Sequence, residues 1–107
     1  MADALTFPIR SDKLTMTVAV QRELCHVVSP FQTITIVETD ALGKVLLLDG
    51  HVQLATFDEF AYHEALVHIP ALNIAVPKRA LIVGGGDGGT LREVVKHRSL
   101  ERIDLVD

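Results

Sequence analysis

Five of the seven glycines lie between Gly84 and Gly89, in the run GGGDGG. Crowded glycines are costly in backbone entropy, so the run needs a structural reason. Gly84, Gly86 and Gly89 fit G-x-G-x-x-G, with a short apolar run before them and a helix-forming stretch after. Missing side chains let a ligand approach the backbone, and a helix N-terminus offers it free N–H groups. Asp107 follows Gly89 by 18 residues, at the end of the next apolar run. An acid there can accept hydrogen bonds from ribose hydroxyls. Asp87, inside the loop, would repel a pyrophosphate and attract a cation. The loop alone leaves open a dinucleotide site, a nucleoside-sulfonium site and a tight turn with no ligand.

A second feature is an acidic interval. Between Lys44 and Lys78 there is no Lys or Arg, but there are Asp49, Asp58, Glu59 and Glu64. The last three fall on an expected helix that also carries Tyr62 and His63. They read either as a solvated face whose acids suit a helix N-terminus, or as a cation-binding wall beside Asp87. His63-Glu64 and His68 resemble the zinc pattern H-E-x-x-H, but at a spacing of five. Five residues turn a helix by about 140°, so the two histidines do not face one metal. Cys25 reads as a small buried hydrophobe. Arg92, Lys96, Arg98 and Arg102 read as solvated charges offsetting a helix dipole.

The elements that must position these groups follow from periodicity. Strands are expected at Leu14 to Val20, Glu23 to Ser29, Gln32 to Thr39, Lys44 to Leu48 and His51 to Ala55. Asp49-Gly50 is a hairpin turn signal. Thr56 and Glu59 have capping-box spacing. Phe57, Ala61, Ala65 and Ile69 recur every four residues, as a buried helical stripe does. Pro70 is compatible with the end of that helix. Ala80 to Val83 reads as a buried strand, Thr90 to His97 as a helix with a second capping box at Thr90 and Glu93, and Arg102 to Val106 as a strand. Leu91, Val94 and Val95 would form the second helix's apolar side.

The predicted class is therefore α/β. A small β-rich N-terminal domain spans 1–55, with residues 1–12 expected to fray. A connecting helix and linker span 56–77. Residues 78–107 open a Rossmann-like, methyltransferase-type doubly wound sheet with its first βαβ unit, incomplete.

Composition sets outer bounds. The chain has 107 residues, is 49% hydrophobic and 22% charged, and carries a formal charge of −4. That is a globular balance, and its acidity argues against nucleic acid as a bulk partner. One cysteine excludes an internal disulfide framework and a cysteine-based zinc site. No segment reaches the roughly 18 apolar residues of a membrane span, and the start lacks the pattern of a signal peptide. A soluble, cytoplasmic protein is expected.

With these residues in hand, the chain resembles the spermidine synthase (polyamine aminopropyltransferase) family, in its N-terminal portion. The matching text is LLLDGHVQLATFDEFAYHEALVHIPAL, then ALIVGGGDGGTLREVVKH and LVD. The match begins near Gln32, and the stretch through about Pro30 matches poorly. The resemblance implies transfer of an aminopropyl group from decarboxylated S-adenosylmethionine to putrescine, giving spermidine and methylthioadenosine. It implies that Gln32, Gly84, Gly86 and Asp107 contact the nucleoside cosubstrate. It implies that His63 and Asp87, with Tyr62 and Gln53, line the polyamine site. No metal and no separate cofactor are implied, and the N-terminal strands would form a homo-oligomer.

The family's general-base aspartate would lie beyond residue 107. The expectation is thus a fragment or truncated reading frame, inactive alone. Two other functions compete: a non-catalytic module that assembles with a full-length synthase, and a different S-adenosylmethionine-dependent methyltransferase or nicotinamide dehydrogenase.

Overall fold

The computed structural model describes residues 3–107. These form two compact units, one up to Asp58 and one from Glu59. The first unit is all β: β1 (Ala4–Arg10), β2 (Leu14–Ala19), β3 (Arg22–Val28), β4 (Thr33–Thr39), β5 (Gly43–Leu48) and β6 (His51–Ala55). β1 and β2 make one antiparallel hairpin, and β3-β4-β5-β6 make a four-stranded meander. The expected strands from Leu14 onward are all present, with no end shifted by more than one residue.

The first dozen residues differ from expectation. Residues 1 and 2 lie outside the described residues, but β1 occupies most of the rest. It pairs with β2 from Ala4↔Ala19 to Arg10↔Leu14. The signal was hidden because only Phe7 is fully buried on β1, while Pro8 and a register shift after it interrupt the alternation. Phe7 and Val18 of the hairpin pack with Val37, Val45, Leu47 and Ala55 of the meander, which makes one core between two sheets. Cys25 is half-buried on β3, less enclosed than expected.

Turns fix the strand registers. Asp49 and Gly50 both have positive φ, 51° and 78°, as a tight two-residue hairpin requires. The Asp49 carboxylate accepts the Thr33 N–H at 2.8 Å and ties the turn to β4. Thr56 does not cap a helix. Its Oγ1 accepts the Lys44 N–H at 2.9 Å, in the space left by the missing side chain of Gly43.

The second unit contains α1 (Glu59–Leu72), β7 (Arg79–Val83), α2 (Gly89–Val94) and β8 (Arg102–Val106). β7 and β8 are parallel neighbours, in register from Arg79↔Arg102 to Val83↔Val106. This is the expected strand–glycine loop–helix–strand unit. Val67 of α1, Ile82 of β7 and Val94 of α2 form its core. Leu81 and Val83 are exposed, because one face of the strand pair carries the helices. No helix among the described residues is long and apolar enough to cross a membrane.

α1 has the predicted period but the opposite phase. Phe57, Ala61, Ala65 and Ile69 are exposed. The inward positions are Glu59, His63, Val67 and Ala71, two residues out of step. A hydrophobic pattern could not find that face, since half of it is polar. Pro70 sits inside α1, which runs two residues further to Leu72. Asn73 closes the helix by donating its Nδ2 to the Ile69 carbonyl at 2.7 Å.

Leu47 is 2% exposed at the centre of the first unit's core. Leu47→Ala should lower the unfolding free energy by about 2–5 kcal/mol, read from urea denaturation. A loss below 1 kcal/mol would contradict this packing.

Candidate functional site

The site is built on the turn from β7 into α2. Gly84, Gly85 and Gly88 have φ of 80°, 70° and 85°, so three loop positions need the left-handed region. Gly84 donates its N–H to the Val106 carbonyl at 2.7 Å and extends the pairing of β7 with β8. Gly88 donates to the Gly85 carbonyl at 3.0 Å. Gly86 and Gly89 serve a second purpose, close approach. A Cβ on Gly86 would collide with the Asp107 carboxylate, and one on Gly89 with the His63 imidazole. Both approaches are closer than the 3.0 Å that real Cβ atoms respect.

α2 has no side-chain cap at Gly88, and Thr90 lies inside the helix. The predicted capping box at Thr90 and Glu93 is therefore absent. Asp87 takes the role instead, its Oδ2 accepting the Gly89 N–H at 3.0 Å. Asp87 Oδ2 also lies 3.4 Å from His63 Nε2, at ion-pair distance. The opposite ring nitrogen, Nδ1, is 2.5 Å from Glu59 Oε2 one helical turn earlier. His63 is 3% exposed, and Tyr62 packs edge-on beside it with ring centres 5.2 Å apart.

Glu59 is the pivot of an ionic array that the sequence did not suggest. Arg92 of α2 grips it with two nitrogens, at 2.8 and 3.0 Å, and its Nε donates to Glu93 Oε2 at 2.7 Å. Glu93 is 1% exposed and also receives Lys96 at 2.6 Å and His68 Nε2 at 3.2 Å. His68 Nδ1 meets His97 Nε2 at 2.8 Å. Arg92 and Lys96 are thus not merely solvated dipole partners. The Arg92 guanidinium, then His63, hold the Glu59 carboxyl below the usual carboxylate range. Arg92, Lys96 and His68 lower Glu93 to about 2. Glu59 in turn raises Arg92. Glu93 spaced three residues before Lys96 was a visible hint, but His68 and Glu59 arrive only through the packing of α1 on α2.

The acidic interval consequently separates into different tasks. Asp49 belongs to a hairpin turn, Asp58 precedes α1, Glu59 is neutralised by Arg92, and Glu64 is exposed. It does not form one cation-binding wall. His63 and His68 belong to separate clusters, the first with Glu59 and Asp87, the second with Glu93 and His97. Among the described residues no group of three or more His, Cys, Asp or Glu is placed to hold a metal ion.

Of the sequence-predicted residues, the second unit brings Gly84, Gly86, Asp87, His63, Tyr62 and Asp107 around one loop. Gln32 and Gln53 lie in the first unit. Gln32 sits in the turn before β4, its N–H donating to Ser29 Oγ at 3.0 Å and its carbonyl accepting from that hydroxyl. Gln53 is exposed on β6, with Nε2 3.3 Å from the His51 carbonyl.

Comparison with known proteins accounts for nearly all of the chain. Residues 7–56 match the family model described as the spermidine synthase tetramerisation domain. Residues 59–107 match the spermine/spermidine synthase domain. The chain belongs to the spermidine synthase family. The match begins at residue 7 and so takes in most of β1, well before Gln32, where the quoted motifs place its start. The polyamine aminopropyltransferase of Moorella thermoacetica is 41% identical over 92% of this chain and 35% of its own length. That of Pectobacterium atrosepticum is 51% identical over 83% of this chain and 31% of its own length. The crystal structure of spermidine synthase from Thermotoga maritima superposes with a TM-score of 0.91 at 40% identity, covering 95% of this chain and 36% of that one. A spermidine synthase in complex with the transition-state analogue AdoDATO gives the same score and identity, with 35% of that chain covered. The chain thus spans about a third of the length of these relatives and corresponds to their N-terminal portion. Its second unit is the opening of their Rossmann-like fold.

Two predictions follow from the packing. In an open helix, Gly→Ala stabilises by up to about 1 kcal/mol. Gly89→Ala should instead destabilise the second unit, by about 1–3 kcal/mol, because its methyl displaces His63. Thermal unfolding gives the sign. Glu93 binds protons more weakly when folded, so it stabilises the fold above pH 4.5 and loses that contribution as pH falls toward about 2. Glu93→Gln should flatten the acid limb of the stability profile between those values. An unchanged limb would show that Glu93 is not held as an ion.

Proposed function

We propose that this chain serves polyamine biosynthesis as the N-terminal part of an aminopropyltransferase. The reaction would carry an aminopropyl group from decarboxylated S-adenosylmethionine to putrescine. An amine nitrogen attacks the methylene next to the sulfonium, a C–N bond forms, and the C–S electrons leave with methylthioadenosine. The attacking ammonium must first lose a proton, so positioning and deprotonation are the main needs.

The observation that carries this reading is one loop with two carboxylates placed for different partners. Asp107 sits against the bare backbone of Gly86, where a ribose could meet both. Asp87 sits beside His63, where an acid and a ring nitrogen could receive an ammonium. Gly84 shapes the loop, and Tyr62 forms a wall beside His63. An ammonium or sulfonium near Asp87 is attracted, whereas a pyrophosphate would be repelled. This favours the nucleoside-sulfonium reading over a dinucleotide one. The first unit matches a tetramerisation domain, and we assign it the same assembly role here.

The general base is assigned to sequence outside these 107 residues, as the family resemblance implies. The chain by itself should therefore bind ligands without turning them over. Titration with methylthioadenosine should shift the backbone amide signals of Gly86 and Asp107. Titration with putrescine should shift those of His63 and Asp87. Asp87→Asn should weaken the diamine about ten- to a hundredfold, the loss of one charge-assisted hydrogen bond. Methylthioadenosine formation by the 107 residues alone would refute the division of labour. Unmoved loop signals with both ligands at millimolar concentration would refute the site.

A further inference from the structure

Each ring nitrogen of His63 faces a carboxylate, but the two arrangements differ. Nδ1 makes a hydrogen bond to Glu59 Oε2 at 2.5 Å. Nε2 lies 3.4 Å from Asp87 Oδ2, within ion-pair distance but without a hydrogen bond. Glu59 does not depend on His63 for its own place. Arg92 holds both its oxygens, and Arg92 is braced in turn by buried Glu93. Glu93 is fixed by Lys96 and His68. The position and charge of Glu59 are thus set from α2, a helix away from the ring it contacts.

An anion that accepts only can bond Nδ1 only if Nδ1 carries the hydrogen. The hydrogen bond at one ring nitrogen sets which nitrogen keeps its lone pair. We infer that Glu59 is the positioning residue of the site: it locks neutral His63 in its Nδ1–H form and presents the Nε2 lone pair beside Asp87. Two acceptors then stand 3.4 Å apart with no proton between them. That pair repels itself and is relieved by a group with several N–H donors and positive charge. A primary ammonium fits, since its three donors can bond Nε2 and the carboxylate together. Gly89 leaves room for this geometry, because a Cβ there would overlap the imidazole. Glu59 itself touches no ligand in this scheme; it acts through the ring. The ammonium part rests on the reading of this site as the amine subsite, whereas the tautomer part does not.

The test is side-chain nitrogen NMR of the 107-residue chain at a pH where His63 is neutral. In the wild-type chain, Nδ1 of His63 should show the shift of a protonated ring nitrogen and Nε2 that of a bare one. Glu59→Ala should return the ring to the Nε2–H form that an unconstrained histidine favours. Glu59→Gln, which keeps an acceptor oxygen, should preserve the Nδ1–H form, a rescue that loss of packing alone would not produce. An Nε2–H signal in the wild-type chain overturns the inference without any variant. So does an unchanged tautomer in a folded Glu59→Ala. Addition of putrescine separates the two layers. A shift of the His63 Nε2 signal supports both. A locked Nδ1–H tautomer with no response to putrescine leaves Glu59 as the positioning residue and removes the amine subsite.

Discussion

The second unit depends on one close approach, the first turn of α2 against an imidazole on α1. A helix start normally projects a side chain there, and any Cβ at Gly89 would occupy the ring of His63. Removing that atom lets the imidazole on α1 lie against the backbone of α2. It also places Asp87, two residues earlier, next to the ring. Other features follow from it. α1 turns its Glu59, His63 and Val67 face inward, and α2 turns Glu93 and Val94 toward it. A six-residue helix has little stability of its own. α2 is held in place by α1, by β7 and by the loop glycines.

The inward face that results is half ionic. Burying Glu93 alone would be costly, but Arg92, Lys96 and His68 satisfy it. Such an array adds less net stability than its count of bonds suggests, because desolvation offsets much of the attraction. Its value lies more in direction. A bidentate guanidinium fixes the plane of the Glu59 carboxylate, and that plane fixes the ring of His63. Replacing the array with leucines could keep α1 against α2 but would leave the imidazole free to rotate.

Much of this was legible in the sequence. The strands after the first announced themselves through β-branched alternation and the Asp49-Gly50 turn. The glycine loop did so through its spacing between a strand and a helix. What was not legible shares one cause. The phase of α1, the true partner of Thr56 and the His68 contact of Glu93 all depend on residues distant in sequence. A stripe of Phe57, Ala61, Ala65 and Ile69 is the better hydrophobic face, yet a polar face faces inward because Arg92 and Asp87 await it. Local pattern ranks faces by hydrophobicity, and it fails where a satisfied polar cluster outranks them. Likewise, Thr56 and Glu59 have the spacing of a capping box, but a strand N–H and an arginine claimed their oxygens first.

The chain's acidity is local rather than spread along one face. A basic-free interval invites the idea of a negative field spread along one helix. The structure instead gives each carboxylate a different local environment. Asp49 is tied to a turn, and Glu59 is cancelled by an arginine at contact distance. Asp87 uses only Oδ2 for the Gly89 N–H and the approach to His63, and Oδ1 makes no hydrogen bond among the described residues. Attraction for a cation therefore concentrates at the loop rather than along the helix. A ligand with separated positive centres would be read by position, not by bulk charge. Residues four apart on α1 then have opposite duties. Glu59, neutralised by Arg92, orients the imidazole, and in the proposed site His63 so oriented binds together with Asp87.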